Sequence, residues 1–219
     1  MGPALVVVII SVALLLTGLA VQGFLMLSNQ PAGSPKKEHQ NATDDVYPTA
    51  WALMNTSSGQ IAFELYGNET PITTGNFINL SNSGYYAGTI FHRVLKTFVI
   101  QGGGYSKNME PKEVPFPPIK LEISPLFNNT RGTISMARTS DPDSATTQFF
   151  INTVDNSKNL GPGGVDSHGY AVFGRVIRGM DVVDAIANGT VMANDFGETS
   201  MPMDPVEILS VSTLAAPPG

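Results

Sequence analysis

The sequence predicts a mainly-β domain, either a barrel or a sandwich, capped by two short helices. Many short segments alternate apolar and polar residues, which is typical of half-buried strands, and loops rich in Gly, Pro and Asn separate them. Only two stretches of the domain have apolar residues at helical spacing. Strands that follow one another without intervening helices do not fit a parallel sheet made of βαβ units.

The first two strands form a predicted hairpin. The stretch AWALMNTSSGQIAFELYG (residues 50–67) has two alternating segments around a Ser-Ser-Gly turn, with Ile61, Phe63 and Leu65 on one face. The remaining predicted strands lie near residues 90–94, 99–101, 133–137, 148–153 and 171–176, and PVEILSVST (205–213) predicts a closing strand.

Two helices are predicted by capping residues and apolar spacing. In ETPITTGNFINLSNSG (69–84), Thr70 is the expected N-cap, Pro71 occupies the first helical position, and Phe77 and Leu80 are three residues apart. In GMDVVDAIANG (179–189), apolar residues again recur at helical spacing before a terminal glycine.

Composition excludes several kinds of function. The 219 residues fit one sizeable domain plus an appendage. A net charge of −6 with scattered basic residues gives no positive face for nucleic acid. The absence of cysteine excludes disulfides, thiolate catalysis and zinc fingers.

The N-terminus carries a charge-free apolar run from Leu5 to Leu27 that is long enough to span a bilayer. The preceding MGPA lacks the basic residues of a signal peptide, and no small-x-small cleavage site follows. We therefore expect residues 1–27 to be a retained transmembrane anchor, in preference to a cleaved signal or a buried helix. Residues 28–48 have a linker composition, residues 49–214 form the predicted domain, and 215–219 form a tail.

Two observations on membrane orientation conflict. Lys36 and Lys37 favour a cytoplasmic location for the domain. The glycosylation sequons favour the opposite side, although Asn and Thr also accumulate in turns. The sequons begin at Asn41, Asn55, Asn68, Asn79, Asn128 and Asn188. We expect a membrane-anchored protein whose domain is extracytoplasmic.

The stretch FHRVLKTFVIQGGG (91–104) places Arg93 within an apolar strand pattern. An unpaired buried charge is costly, so Arg93 is either a strand arginine paired with a carboxylate or part of a site. The adjacent His92 is interpreted as a structural, hydrogen-bonded residue. QGGG lacks the spacing of a phosphate-binding loop and is interpreted as a turn.

Four ordered motifs carry a family resemblance: FHRVLKTFVIQGGG, TRGTISMART (130–139), TTQFFINT (146–153) and GYAVFGRVIRGMDVVDAI (169–186). Together they resemble the cyclophilin-type peptidyl-prolyl cis-trans isomerases, especially the bacterial and archaeal branch, over Ala50 to Thr213. The resemblance implies a closed eight-stranded antiparallel barrel capped by two α-helices. It also implies a substrate groove on the outer face of the barrel and an activity that needs neither cofactor nor metal.

The same resemblance implies two sets of site residues. The catalytic residues are Arg93, Gln101 and Phe150. The substrate-binding residues are Phe98, Val99, Ala137, Arg138, Gln148, Leu160 and Tyr170. The period of two in TTQFFINT agrees with this, because it places Gln148 and Phe150 on one face and Phe149 and Ile151 on the other.

One departure affects the expected pocket. Many family members have Trp or Phe immediately before the pocket leucine, whereas this chain has Lys158 and Asn159 before Leu160. The implied activity is rotation of X-Pro bonds in proline-containing segments of client proteins, which assists their folding, by a monomer. The departure keeps open the alternative of a proline-peptide binding or chaperone module that has lost turnover.

Overall fold

Antiparallel strands dominate the computed structural model, which describes residues 48–218. The strands are β1 (Ala50–Thr56), β2 (Gly59–Leu65), β3 (Thr89–Val94), β4 (Val99–Ser106), β5 (Thr133–Met136), β6 (Phe149–Asn152), β7 (Val172–Arg178), β8 (Val191–Ala193), β9 (Thr199–Pro202) and β10 (Glu207–Leu214). The helices are α1 (Pro71–Asn82), α2 (Ser157–Leu160) and α3 (Met180–Ala187).

Eight strands close into a barrel in the order β1-β10-β3-β4-β6-β5-β7-β2, and every pairing is antiparallel. The eight predicted strand segments each correspond to one barrel strand, so the predicted barrel is confirmed. Two features were not predicted: the single-turn helix α2, and a separate two-stranded sheet formed by β8 and β9.

Aromatic side chains fill the barrel core. Phe77 of α1 lies with its ring centroid 5.2 Å from that of Phe173 and 5.9 Å from that of Phe149. Phe77 and Leu80 are both fully buried, as their spacing predicted. Burial of these large rings supplies much of the hydrophobic stabilisation that holds α1 against the barrel.

The N-terminus of α1 is capped differently from the prediction. Thr70 occupies the N-cap position, but its side-chain oxygen accepts no hydrogen bond from the N–H groups of the helix, and its hydroxyl donates to the carbonyl oxygen of Tyr66 at 3.1 Å. The carboxylate of Glu122 accepts hydrogen bonds from the backbone N–H groups of Ile72 and Thr73 at 3.1 and 2.7 Å. A carboxylate here also opposes the positive end of the helix dipole, so the loop bearing Glu122 is tied to α1.

The glycines of QGGG belong to strand β4, so their interpretation as a turn was wrong. Gly103 has a φ of +82°, and a Cβ there would lie 2.8 Å from the Tyr86 ring and 3.0 Å from the Phe149 ring. Glycine is needed because it tolerates this φ and lets the strand run directly over the core aromatics.

The N-terminal predictions cannot be compared with the fold. The apolar run Leu5–Leu27 and nearly all of the predicted linker lie outside the described residues. Within residues 48–218, no helix has the length and apolar character needed to cross a membrane.

Candidate active site on the outer face of the barrel

Strand β6 separates two apolar clusters, one on each face. Phe149 and Ile151 belong to the barrel core, whereas Phe150 belongs to a second, smaller cluster. Strand β4 shows the same division, with Ile100 in the core and Val99 in the second cluster. The period of two therefore gives the barrel an outer apolar surface at β4 and β6, as the TTQFFINT pattern predicted.

The second cluster unites most of the predicted substrate-binding side chains. It consists of Val99, Ala137, Phe150, Leu160 and Tyr170, with the partly buried Phe98 packed against them. The rings of Phe150 and Tyr170 meet edge to face with centroids 5.6 Å apart. Lys158 and Asn159, which replace the aromatic residue expected before Leu160, are exposed on α2.

The three predicted catalytic residues lie in one row across three neighbouring strands. Arg93 of β3 is opposite Gln101 of β4, and Gln101 is opposite Phe150 of β6. Residues directly opposite in a sheet share a face, so all three side chains project from the same surface. Nη1 of Arg93 lies 3.4 Å from Oε1 of Gln101, and Nε2 of Gln101 donates to Oε1 of Gln148 at 2.9 Å. Arg93, Gln101 and Gln148 thus form a polar chain with a cation at one end. This chain borders the apolar cluster that contains Phe150.

Arg93 also forms an ion pair, with a carboxylate that no sequence pattern identifies as its partner. Its Nε and Nη2 atoms donate to Oε2 and Oε1 of Glu198, each at 2.7 Å. Hydrogen bonding from Arg93 lowers the pKa of Glu198, so the carboxylate is ionised at neutral pH. The two interpretations of Arg93 are therefore compatible: it is a paired strand arginine, and it borders the predicted site.

Gly104 creates the space that Gln148 occupies. A Cβ on Gly104 would lie 2.6 Å from Cγ and 2.7 Å from Nε2 of Gln148. The third glycine of QGGG is therefore explained by a close approach between β4 and a site side chain.

Arg138 lies beside the apolar cluster, and its side chain binds the loop that contains Asp166 and Gly169. The guanidinium is almost fully buried, pairs with Asp166 at 2.7 Å, and lies 4.4 Å from the ring centroid of Tyr170. Its Nε donates to the carbonyl oxygen of Gly169 at 3.2 Å. Hydrogen bonding to Arg138 lowers the pKa of Asp166 to about 2. Arg138 therefore fixes the wall that Tyr170 provides, and only the backbone at Arg138 can serve the substrate role predicted for this position.

A buried amide network behind the pocket was missed by sequence reasoning. Asn129 donates to the carbonyl oxygens of Leu160 and Tyr170 at 3.2 and 3.3 Å, and it accepts from the Ser135 hydroxyl at 2.8 Å. Asn156 donates to the carbonyl oxygen of Phe98 at 2.8 Å. These bonds fix the backbone of three pocket residues, of which Phe98 and Tyr170 lie in loops and Leu160 is the last residue of α2. The only sequence signal is the abundance of Asn in these loops, which is equally typical of turns.

His92 has the structural, hydrogen-bonded role that its sequence context predicted, with hydrogen bonds to the backbone of Ile90 and to the side chain of Gln148. Its Nδ1 atom is buried without a hydrogen-bond partner among residues 48–218, and its ring lies 4.5 Å from that of Tyr105. Desolvation lowers the pKa of His92 to about 4, so the ring is neutral at neutral pH. His92 is thus a neutral structural residue that is hydrogen-bonded to Gln148 in the site.

The β8–β9 hairpin, which supplies Glu198, is the second feature that sequence reasoning missed. Its turn contains the sequence NDFG, and Asn and Gly are typical of hairpin turns, so a signal for the turn was present. No such signal connects Glu198 with Arg93, because 105 residues separate them.

The chemistry available at this surface is that of a hydrogen-bond donor beside an apolar cleft. Within the part of the chain that the structure describes, no three His, Cys, Asp or Glu residues are grouped so that they could hold a metal ion. A guanidinium next to aromatic and aliphatic walls suits the binding of a proline ring and of the amide beside it.

Comparisons with known proteins agree with this geometry. Residues 52–213 match the family model described as cyclophilin type peptidyl-prolyl cis-trans isomerase/CLD. The chain is 52% identical to a peptidyl-prolyl cis-trans isomerase of Acinetobacter baylyi over 159 residues, which cover 72% of this chain and 82% of the relative. It is 42% identical to peptidyl-prolyl cis-trans isomerase B of Escherichia coli, covering 72% of this chain and 96% of that one.

A solved structure shows the same fold. It is the cyclophilin type isomerase of Cryptosporidium parvum, crystallised in the presence of the dipeptide Ala-Pro, with 28% identity and a TM-score of 0.58 over 74% of this chain and 96% of that chain. The expected likeness to the bacterial branch is confirmed by the bacterial relatives. The chain therefore belongs to the cyclophilin-type peptidyl-prolyl cis-trans isomerases and is an enzyme of that class.

Proposed function

We propose that the outer-face row of Arg93, Gln101 and Phe150 carries out the isomerisation. In this proposal, the Arg93 guanidinium donates to the prolyl nitrogen of an X-Pro bond as the bond twists. Gln101 and Gln148 hold the guanidinium and the substrate carbonyl groups. The observation that supports this most is the register, which aligns Arg93, Gln101 and the apolar Phe150 on one face of β3, β4 and β6.

The reaction needs no nucleophile or proton transfer. Rotation about the bond breaks amide resonance, with a barrier of about 18–20 kcal/mol, and takes tens of seconds or more without catalysis. In the twisted amide the nitrogen lone pair is free to accept a hydrogen bond. A donor positioned for that lone pair binds the transition state better than either planar form.

The apolar cluster must contribute as much as the arginine. Shortening the rotation from tens of seconds to milliseconds is an acceleration on the order of 10⁴, which requires a barrier lower by about 5.5 kcal/mol. A hydrogen bond to a charged group contributes only about 1.5–3 kcal/mol, so Arg93 accounts for part of the effect. The remainder is assigned to ring fixation by Phe98, Val99, Phe150, Leu160 and Tyr170, with the backbone at Ala137 and Arg138 holding the residue before proline. The relative that was crystallised in the presence of Ala-Pro supports the binding of proline-containing peptides by this fold.

An NMR titration of the full chain with a short X-Pro peptide tests this location. We expect amide shifts at Phe98, Gln101 and Phe150, together with exchange cross-peaks between the cis and trans proline signals. Shifts confined to another surface would contradict the location. Shifts at this surface without faster exchange would support the alternative binding module.

We further propose that the protein is a membrane-anchored monomer that acts outside the cytoplasm on proline-containing segments of client proteins and assists their folding. The charge-free run Leu5–Leu27 supports anchoring, and the sequons support the location. Protease treatment of intact cells tests the location, because an extracytoplasmic domain is cleaved without lysis. Sedimentation of the detergent-solubilised chain tests the monomeric state.

A further inference from the structure

The β8–β9 hairpin brings a carboxylate to the guanidinium that borders the site. The hairpin is not part of the barrel, and its contacts include strand β3, which carries Arg93. Glu198 lies in the turn and binds Arg93 through both carboxylate oxygens at 2.7 Å. An arginine–carboxylate contact through two parallel hydrogen bonds fixes the plane of the guanidinium as well as its position.

The hairpin itself holds Glu198 in place. The side-chain oxygen of Asn194 accepts a hydrogen bond from the Glu198 backbone N–H at 3.0 Å, and Asn194 N–H donates to the Glu198 carbonyl oxygen at 2.9 Å. The hydroxyl of the buried Ser200 donates to Oε2 of Glu198 at 2.7 Å. The carboxylate is therefore pre-positioned by its own turn, which reduces the entropy lost when it orders the long Arg93 side chain.

The contact uses one edge of the guanidinium and leaves another available. Glu198 takes the Nε–H and one Nη2–H, whereas Nη1 is on the side of Gln101, at a long 3.4 Å from its Oε1. Gln101 is in register with Phe150. The Nη1 donors, which Glu198 does not bind, therefore lie on the edge of the guanidinium that faces Gln101. Beyond Gln101 lies Phe150 of the apolar cluster.

We propose that Glu198 is a positioning residue for the isomerase reaction, which orients the Arg93 guanidinium so that its Nη1 edge addresses the substrate amide. It also balances the charge of Arg93, whose side chain is only 15% exposed. This inference rests on the proposed role of Arg93 and assigns a further residue to the same site.

The main test is a double-mutant cycle in the full chain, with kcat and KM measured by NMR exchange on a neutral X-Pro peptide. Glu198→Gln keeps the shape of the side chain but opposes the arginine donors with an amide NH₂ group. We expect a loss in kcat/KM of roughly 5- to 20-fold, carried by kcat, because the misoriented donor matters most in the transition state. In an Arg93→Ala background the same change is expected to alter kcat/KM less than about twofold.

Asp184→Asn is the matched control, because Asp184 forms a comparable two-bond contact with Arg131 on the surface. It is expected to leave kcat/KM unchanged within about twofold. Ser200→Ala is a second variant that keeps both charges and removes only the hydroxyl that holds Oε2. We expect Ser200→Ala, as a single substitution, to lower kcat by roughly two- to fourfold. A thermal melt checks that each variant is folded.

Three results would overturn the proposal. An equal loss from Glu198→Gln in the presence and absence of Arg93 would mean that Glu198 acts only through the structure of the hairpin. A gain in activity would mean that the ion pair restrains Arg93 from the substrate. If Glu198→Gln fails to fold, unchanged kcat in Ser200→Ala would also reject the proposal. A separate result concerns the proposed function itself: full activity in the Arg93→Ala enzyme would reject the role of Arg93. Reduced activity in Arg93→Ala with no effect of Glu198→Gln would reject only the role of Glu198.

Discussion

The guanidinium of Arg138 lies 4.4 Å from the ring centroid of Tyr170 and forms a 2.7 Å ion pair with Asp166. The Arg138 side chain is 1% exposed, so it is held by these contacts and by backbone carbonyl oxygens with almost no access to water. Tyr170 is a wall of the outer apolar cluster. The contact therefore links the ion pair of a buried arginine to the shape of the pocket.

Removing Arg138 is expected to weaken both folding and substrate binding. Arg138→Ala removes the guanidinium from Asp166, which is 20% exposed and keeps its bond from the His168 N–H, so we expect a loss of stability of about 1–3 kcal/mol. The same variant is expected to raise KM because Tyr170 loses its support. Urea unfolding and peptide kinetics measure the two effects. Arg131→Ala is the control, since its exposed pair with Asp184 contributes no more than about 1 kcal/mol.

Stability is expected to fall in mild acid because of His92. Desolvation lowers its pKa from 6.5 to about 4 in the folded state. The unfolded chain therefore binds more protons between these values, and stability is lost as pH falls through them. The expected loss between pH 7 and pH 4.5 is roughly 2 to 3 kcal/mol, measured by urea unfolding. His92→Phe keeps a ring against Tyr105 and should remove this part of the pH dependence; an unchanged profile would contradict the assignment.

Gly104→Ala is expected to impair activity more than stability. The new Cβ would meet the side chain of Gln148 at 2.6 Å, and we expect the displaced Gln148 to lose its bond from Gln101. Loss of one such bond predicts a fall in kcat/KM of roughly fivefold. Gly75→Ala in α1 is the control, because no atom lies within 4 Å of its added Cβ. That change should raise stability by about 0.5–1 kcal/mol and leave activity unaltered.

Asn129→Ala is expected to increase the mobility of the pocket backbone, because Asn129 belongs to the buried amide network behind the pocket. It removes the donor shared by the carbonyl oxygens of Leu160 and Tyr170 and the acceptor of the Ser135 hydroxyl. The Tyr170 carbonyl oxygen and the Ser135 hydroxyl then lose a buried partner, at a cost of about 1–3 kcal/mol each, whereas the Leu160 carbonyl oxygen keeps its bond from the Tyr170 N–H. Hydrogen exchange is expected to accelerate at Leu160 and Tyr170 and to remain slow at Ile61 in β2. Unchanged exchange at the pocket would show that the network does not hold it.

The barrel was predictable because its strands alternate along the sequence with a period of two. The two faces of TTQFFINT separate the core from the outer cluster in the structure as they do in the pattern. The glycines were harder, since QGGG is compatible with a turn until the rings of Tyr86 and Phe149 are placed beneath Gly103.

The contacts between distant segments could not be predicted. Glu122 caps α1 from 50 residues away, and Glu198 reaches Arg93 from 105 residues away. Neither carboxylate lies in a local sequence pattern that identifies its hydrogen-bond partner. The sequence showed that Arg93 needed either a counter-ion or a function; three-dimensional packing was needed to show that it has the counter-ion and lies beside the predicted pocket.

The most direct measurement is the cis-trans exchange rate of an X-Pro peptide with the full chain and with Arg93→Ala at equal concentration. The proposed mechanism predicts a fall in kcat/KM of roughly 10- to 150-fold, because one hydrogen bond to a charged group is lost in the transition state. Arg131→Ala serves as the charge-matched control and is expected to retain full activity. An Arg93→Ala enzyme that is folded and as active as the unaltered chain would contradict the mechanism.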